Sequence, residues 1–301
     1  MAVWARLKTR PAEGSGGGHR PRWRWTAVAT AVVVALGVGG YVLFQRARPY
    51  LHGSGCEVRT AAAGKMPLDL DQAANAATIA AVAFRKQLPE RAAVIAYATA
   101  IQESHIRNLP GGDRDSVGMF QQRPSQGWGK PPQLRDPVQS TSKFFDALVK
   151  VKDYLDRDLH DAAQRVQRSA DGRAYAQHEP DGKLLARVFT GREPGSARCW
   201  YPPGKKTAPR RPEAIREMRR AFGGRLQVDG PKAAPGSVPS WDAVKVTNAR
   251  AGWAVAAWSV THAQVYGLTE VRYAGRHWEA DSGHDGWTKD EEAPTDHVII
   301  H

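Results

Sequence analysis

The chain has 301 residues, 43 Lys+Arg against 30 Asp+Glu, a formal net charge of +13 and two cysteines. That length suffices for two modest domains and their linkers. The charge surplus suits polyanionic partners (nucleic acid, anionic lipid or the acidic polymers of a bacterial wall), and the lack of a zinc-finger, RNA-recognition or helix-turn-helix signature argues against nucleic acid.

Residues 1–25 are basic: Arg6, Lys8, Arg10, Arg20, Arg22 and Arg24 face only Glu13. Residues 26–44, TAVATAVVVALGVGGYVLF, carry no charge, and a run of about 20 apolar residues spans a bilayer. Trp23, Trp25 and Tyr41 stand at its ends as interfacial aromatics do. The positive-inside rule puts the N-terminus in the cytoplasm, against anionic lipid, and everything after the span outside. The expectation is a single-pass membrane protein with an uncleaved anchor. A cleaved signal peptide is the rival, but its apolar core is about 7–15 residues with a small-residue site close behind, whereas FQRARPY follows here. Cys56 lacks the apolar stretch that a lipid anchor needs before it.

Residues 45–66 read as a linker, and helical periodicity begins after it. DLDQAANAATIAAVAFRKQL has an Asp cap. Pro89 opens a second helix, ERAAVIAYATAIQESHI. After the loop LPGGDRDSVG, Asp136-Pro137 is a cap with proline at the first helical position, and two further helices follow. No strand is expected between Leu68 and Cys199, so 67–200 is predicted to be an all-helical domain. Residues 201–211, YPPGKKTAPRR, form a basic Pro-rich linker. In 212–301, EAIREMRRAF and a helix capped by Asn248 accompany short strands at RLQVD, TEVRYAG, RHWEAD and HVIIH. The expected fold is mainly α: a transmembrane helix, an all-helical domain and a small C-terminal α+β domain of unknown role, open to a protein partner.

Glu103 ends an otherwise apolar helix. An apolar setting and the negative helix end both disfavour a carboxylate, and a carboxylic acid still protonated near neutral pH is what protonates a glycosidic oxygen. By position alone it also reads as an ordinary solvated acid.

Three ordered segments, IQESHI, GGDRDSVGMFQQRPSQGWG and AAQRVQRSADGRAYAQHE, resemble the goose-type lysozyme and soluble lytic transglycosylase superfamily over residues 68–199, most closely lysozyme-like wall proteins of actinobacteria. Glu103-Ser104 matches the family's Glu-Ser helix end. Gly118-Met119-Phe120-Gln121 matches its Gly-Leu-Met-Gln loop, with Met-Phe for Leu-Met. The Ala-Tyr-Asn-Ala-Gly turn is replaced by Arg165-Val166-Gln167-Arg168-Ser169. The resemblance implies a lysozyme-like fold and cleavage of peptidoglycan glycan strands without a cofactor or metal. Glu103 would be the general acid and later the base, with Ser104 beside it, and Gln121 and Gln167 would line the groove. Gln122, Arg123 and Ser125 would reach the glycan or its stem peptide, Arg123 equally a helix cap. Trp128 stacks on a sugar or packs inside the loop, and Tyr175 faces the cleft or the core.

The family cleaves by hydrolysis or by intramolecular attack of the sugar's own hydroxyl. Asp113, ten residues after Glu103, is the candidate base for hydrolysis, or a turn residue beside glycine. A wall-binding protein that keeps the fold without catalysis is the first alternative. A metal-handling membrane protein, drawn from the His, Asp and Glu residues of 262–301, is the weaker one. Outside the cytoplasm Cys56 and Cys199 are expected to bridge the two ends of the helical domain.

Overall fold

The computed structural model describes residues 36–37, 39–41, 43–44, 51, 53–61, 64–169, 172–201, 207–224, 226–230 and 240–301. Two compact units are present, Met1–Gln45 and Arg46–His301. The second holds the hydrophobic core.

The centre of that second unit is α1 (Leu70–Arg85), whose cap is Asp69 with Gln72 completing a capping box. Ala73, Ala76, Ala77 and Ala80 are fully or almost fully buried, and such small side chains let neighbouring helices approach closely. Against α1 pack α2 (Glu90–Ser104), α4 (Pro137–Leu148), α7 (Glu179–Phe189) and the C-terminal α9 (Ala249–Tyr266). Tyr97 of α2, wholly buried, donates to the Ala76 carbonyl at 2.8 Å. Between these run the one-turn α3 (Pro131–Leu134) and α6 (Arg173–Ala176), with α5 (Leu159–Gln167). Asp136 caps α4 by accepting from Val138 and Gln139 N–H at 3.0 Å. Asn248 caps α9 through Ala251 N–H at 2.9 Å.

The mainly-α expectation is overturned by two antiparallel sheets. The first is β2-β1-β3, formed by β1 (Gly55–Thr60), β2 (Gly64–Leu68) and β3 (Ala197–Trp200). The predicted linker 45–66 therefore contains strand, and the segment expected to be all-helical ends in β3. These strands are too short for a clear alternation, and β1 finds its partner β3 across most of the helical region, with Cys56 opposite Cys199. The two cysteines form a disulfide. Beside it, buried Glu57 accepts from Arg59 Nη2 at 2.8 Å and Arg198 Nη2 at 3.0 Å, so a charge taken out of water is paired.

The second sheet has order β4-β5-β9-β6-β7-β8. Its strands are β4 (Val228–Asp229), β5 (Asp242–Lys245), β6 (Glu270–Tyr273), β7 (Arg276–Glu279), β8 (Thr288–Lys289) and β9 (His297–Ile300). The helix α8 (Arg211–Phe222) precedes it. This part is fastened to the rest: Trp278 Nε1 donates to Cys199 O at 3.2 Å, Trp287 Nε1 to Ala197 O at 2.8 Å and the Tyr201 hydroxyl to Val260 O at 2.8 Å.

The transmembrane helix expected over residues 26–44 is the other correction. Most of that stretch lies outside the described residues. Its described positions are helical and exposed, and no helix among the described residues is long and apolar enough to cross a membrane.

Candidate functional site

The site begins with α2. Pro89 precedes its first turn and Glu90 opens it, favourable residues for a helix start. Its Ala-rich face meets α7 at Gly182, where a Cβ would stand 2.9 Å from the Val94 carbonyl. The last turn carries Gln102, Glu103 and Ser104, and the helix stops at His105 in the left-handed region, φ 53° and ψ 39°.

Glu103 is half-buried. The hydroxyl of Tyr175, from α6, donates to its Oε1 at 2.7 Å. Tyr175 is itself buried. Burial first, then the Glu103 charge and the hydrogen bond to it, raise the phenol well above its ordinary pKa, so it stays a donor. Gln102 points elsewhere: its Oε1 meets His178 Nε2 at 2.9 Å and Gln177 Nε2 at 3.3 Å. Burial holds His178 below the usual histidine range.

Ser104 is buried and donates to Met119 O at 2.7 Å and Ala100 O at 3.2 Å. Gln167 Nε2 donates to the next carbonyl, Phe120 O, at 2.7 Å. Thus the helix end, the GMFQ loop and the VQRS segment are joined at two successive carbonyls. Met119 and Phe120 are wholly buried, with Phe120 stacked on Phe144 at 4.5 Å between centroids. The loop turns on Gly118 (φ 78°) and Gln121 (φ 45°), and its ends pair Val117 with Gln122. Only glycine fits at 118, since a Cβ would sit 2.2 Å from the Leu134 carbonyl.

The remaining predicted residues separate. Gln121 is half-buried, donates to Gly118 O at 2.9 Å and lies over Gly112. Gln122 is turned into the core, where its Nε2 reaches Ser140 O at 3.2 Å. Arg123 and Ser125 wrap Asp115: Arg123 Nε donates at 2.9 Å, Ser125 N–H at 2.7 Å and the Ser125 hydroxyl at 2.9 Å. The Ser125 backbone bond and then Arg123 hold this carboxyl at about 2. Asp113 is 87% exposed, with Arg114 Nε at 3.9 Å. Trp128 is partly buried against the core.

A cavity of about 450 Å³ lies between the start of α1 and the end of α9, lined by Asp69, Asp71, Arg107, Thr261 and Gln264 among others. Glu103 is not in its walls. Among the described residues no group of three or more His, Cys, Asp or Glu is placed to hold a metal. Of the C-terminal histidines, His262 stacks on Trp258 at 3.9 Å and is buried, His297 contacts Asp296, and His301 faces Glu270. The sequence reading missed Asp69, Gln72, Asn75 and Arg107, which surround the end of α2. Their only local signal was the polar spacing at the start of α1.

No protein-family model and no curated protein matches this chain.

Proposed function

We propose that the chain cleaves peptidoglycan glycan strands, with Glu103 as general acid and then general base, in the oxidising space outside the cytoplasm. The observation that carries this reading is the bond from the Tyr175 hydroxyl to Glu103 Oε1. It aims a half-buried carboxyl from a segment 72 residues away, at the point where the other two family-like segments meet. Fixed orientation is what a catalytic acid needs. The Cys56–Cys199 bond supports the compartment, since structural disulfides persist in oxidising surroundings.

The finer choice concerns the attacking group. A base that aims water must be held in place, and Asp113 is 87% exposed with Arg114 Nε 3.9 Å away. Asp115 is already saturated by Ser125 and Arg123. This favours the route in which one carboxyl suffices. Glu103 gives its proton to the leaving glycosidic oxygen, the glycosidic bond breaks, and a hydroxyl of the same sugar bonds to the anomeric carbon while Glu103 takes that hydroxyl's proton. The product then carries an internal anhydro ring and no reducing end.

Muropeptide analysis after incubating the full chain with peptidoglycan tests both statements. Anhydro-ended fragments are expected from the wild type and none from Glu103→Gln. No release by the wild type would instead favour a wall-binding protein that keeps the fold without catalysis, and equal release by Glu103→Gln would remove Glu103 from the reaction.

A further inference from the structure

Immediately after Ser104 the backbone takes two successive left-handed residues, His105 at φ 53° and Ile106 at φ 62°. Such a conformation is uncommon for any residue with a Cβ, and for β-branched isoleucine it is an outlier. It persists only where the surroundings impose it. The bonds within the corner, His105 N–H to Ile101 O and Ile106 N–H to Ala100 O, both 2.9 Å, close the helix but leave the His105 and Ile106 carbonyls pointing away from it.

Those carbonyls are met by α1. Gln72 Nε2 donates to His105 O at 2.8 Å, and Asn75 Nδ2 to Ile106 O at 2.8 Å. Asp69 pairs with Arg107, and Asp71 takes a second Arg107 nitrogen at 3.1 Å through each of its oxygens. Residues 69, 72 and 75 are three apart and so share one face of the helix. That face grips residues 107, 105 and 106. Asn75 and Ile106 are buried, so the Asn75 bond is shielded from competing water.

We infer that the Asp69–Gln72–Asn75 face of α1 is a positioning clamp for Glu103, with Asn75 its central residue. This rests on the proposed function. The Asn75 amide is engaged with the Ile106 carbonyl. It acts by holding the corner that ends the Glu103 helix, and thereby the angle at which the carboxyl meets Tyr175 and the neighbouring Ser104 meets the Met119 carbonyl.

The test is Asn75→Asp in the full chain, which keeps the shape but sets a carboxylate oxygen against the Ile106 carbonyl. The expected result is a fall in kcat of about tenfold to a hundredfold with KM within about twofold, as misplacement of a reacting group produces. Arg107→Met, at a partly exposed position, is the second variant and should shift kcat in the same sense by less. A readout independent of activity is the Tyr175 hydroxyl proton by NMR. It should be slow to exchange in the wild type and lost from the spectrum in Asn75→Asp. An unchanged Tyr175 signal, or kcat falling only in proportion to the unfolded fraction, would overturn the clamp. If the wild type releases no glycan, the proposed function fails, and the Tyr175 signal alone then decides the clamp.

Discussion

Removing the Cys56–Cys199 bond is the most quantitative perturbation available. The two cysteines are 143 residues apart, so the bond closes nearly the whole helical region into one loop. In the chain-entropy description a loop of that length lowers the unfolded state's entropy by about 17 cal/mol/K, or about 5 kcal/mol at 25 °C. That is comparable with the roughly 5–15 kcal/mol that holds a typical protein folded. Both sulfurs lie in the core, so the double variant Cys56→Ala/Cys199→Ala is preferable to serine, which would bury hydroxyls without partners. With a urea dependence of about 3 kcal/mol per molar, the midpoint should fall by about 1.7 M, and the reduced wild type should fall with it. The slope should also rise, because the uncrosslinked chain exposes more surface on unfolding. A midpoint shift under about 0.3 M in both proteins would refute the idea that the bond acts by constraining the unfolded chain.

Tyr175→Phe removes the hydrogen bond to Glu103 Oε1, worth about 0.5–1.5 kcal/mol, and steady-state assays on glycan strands should show up to about a tenfold loss of kcat with folding retained by circular dichroism. Gly118→Ala combines a positive φ with a Cβ 2.2 Å from the Leu134 carbonyl; a loss of about 3 kcal/mol is expected from thermal unfolding, and a loss under about 1 kcal/mol would mean the loop relaxes freely. Burial lowers His262 from 6.5 to about 4. The unfolded chain therefore binds the extra proton first, so stability is full above about 6.5, falls as pH drops towards 4 and levels off below. Urea midpoints across that range should lose this part of their slope in His262→Gln.

How much of this was legible beforehand follows from the range of each interaction. The caps Asp136 and Asn248 act within a few residues, and their helices start where those residues stand. The short C-terminal strands carried β-branched and aromatic residues in sequence and appear at β6, β7 and β9. The Cys56–Cys199 pair needed only compartment and position. By contrast β1 and β3 are joined across the helical region, so neither could be read as a strand from its own few residues. Gln122 and Arg123, adjacent polar residues in one loop, looked alike in sequence. One is buried against Ser140 and the other wraps Asp115, because the turn at Gly118 and Gln121 decides which way each side chain points.

The sequence by itself determined the capped starts of α1, α4 and α9, the order of the three segments and the identity of the carboxyl at the end of α2, since these depend on neighbours in the chain. Only the tertiary structure decided that the Tyr175 hydroxyl bonds to Glu103, that Asp113 is exposed, and that one face of α1 holds the left-handed corner at the end of α2. The partners there are about 30 to 70 residues apart in the chain. A hydrogen bond of that reach leaves no local pattern, because its geometry exists only after the helices have packed.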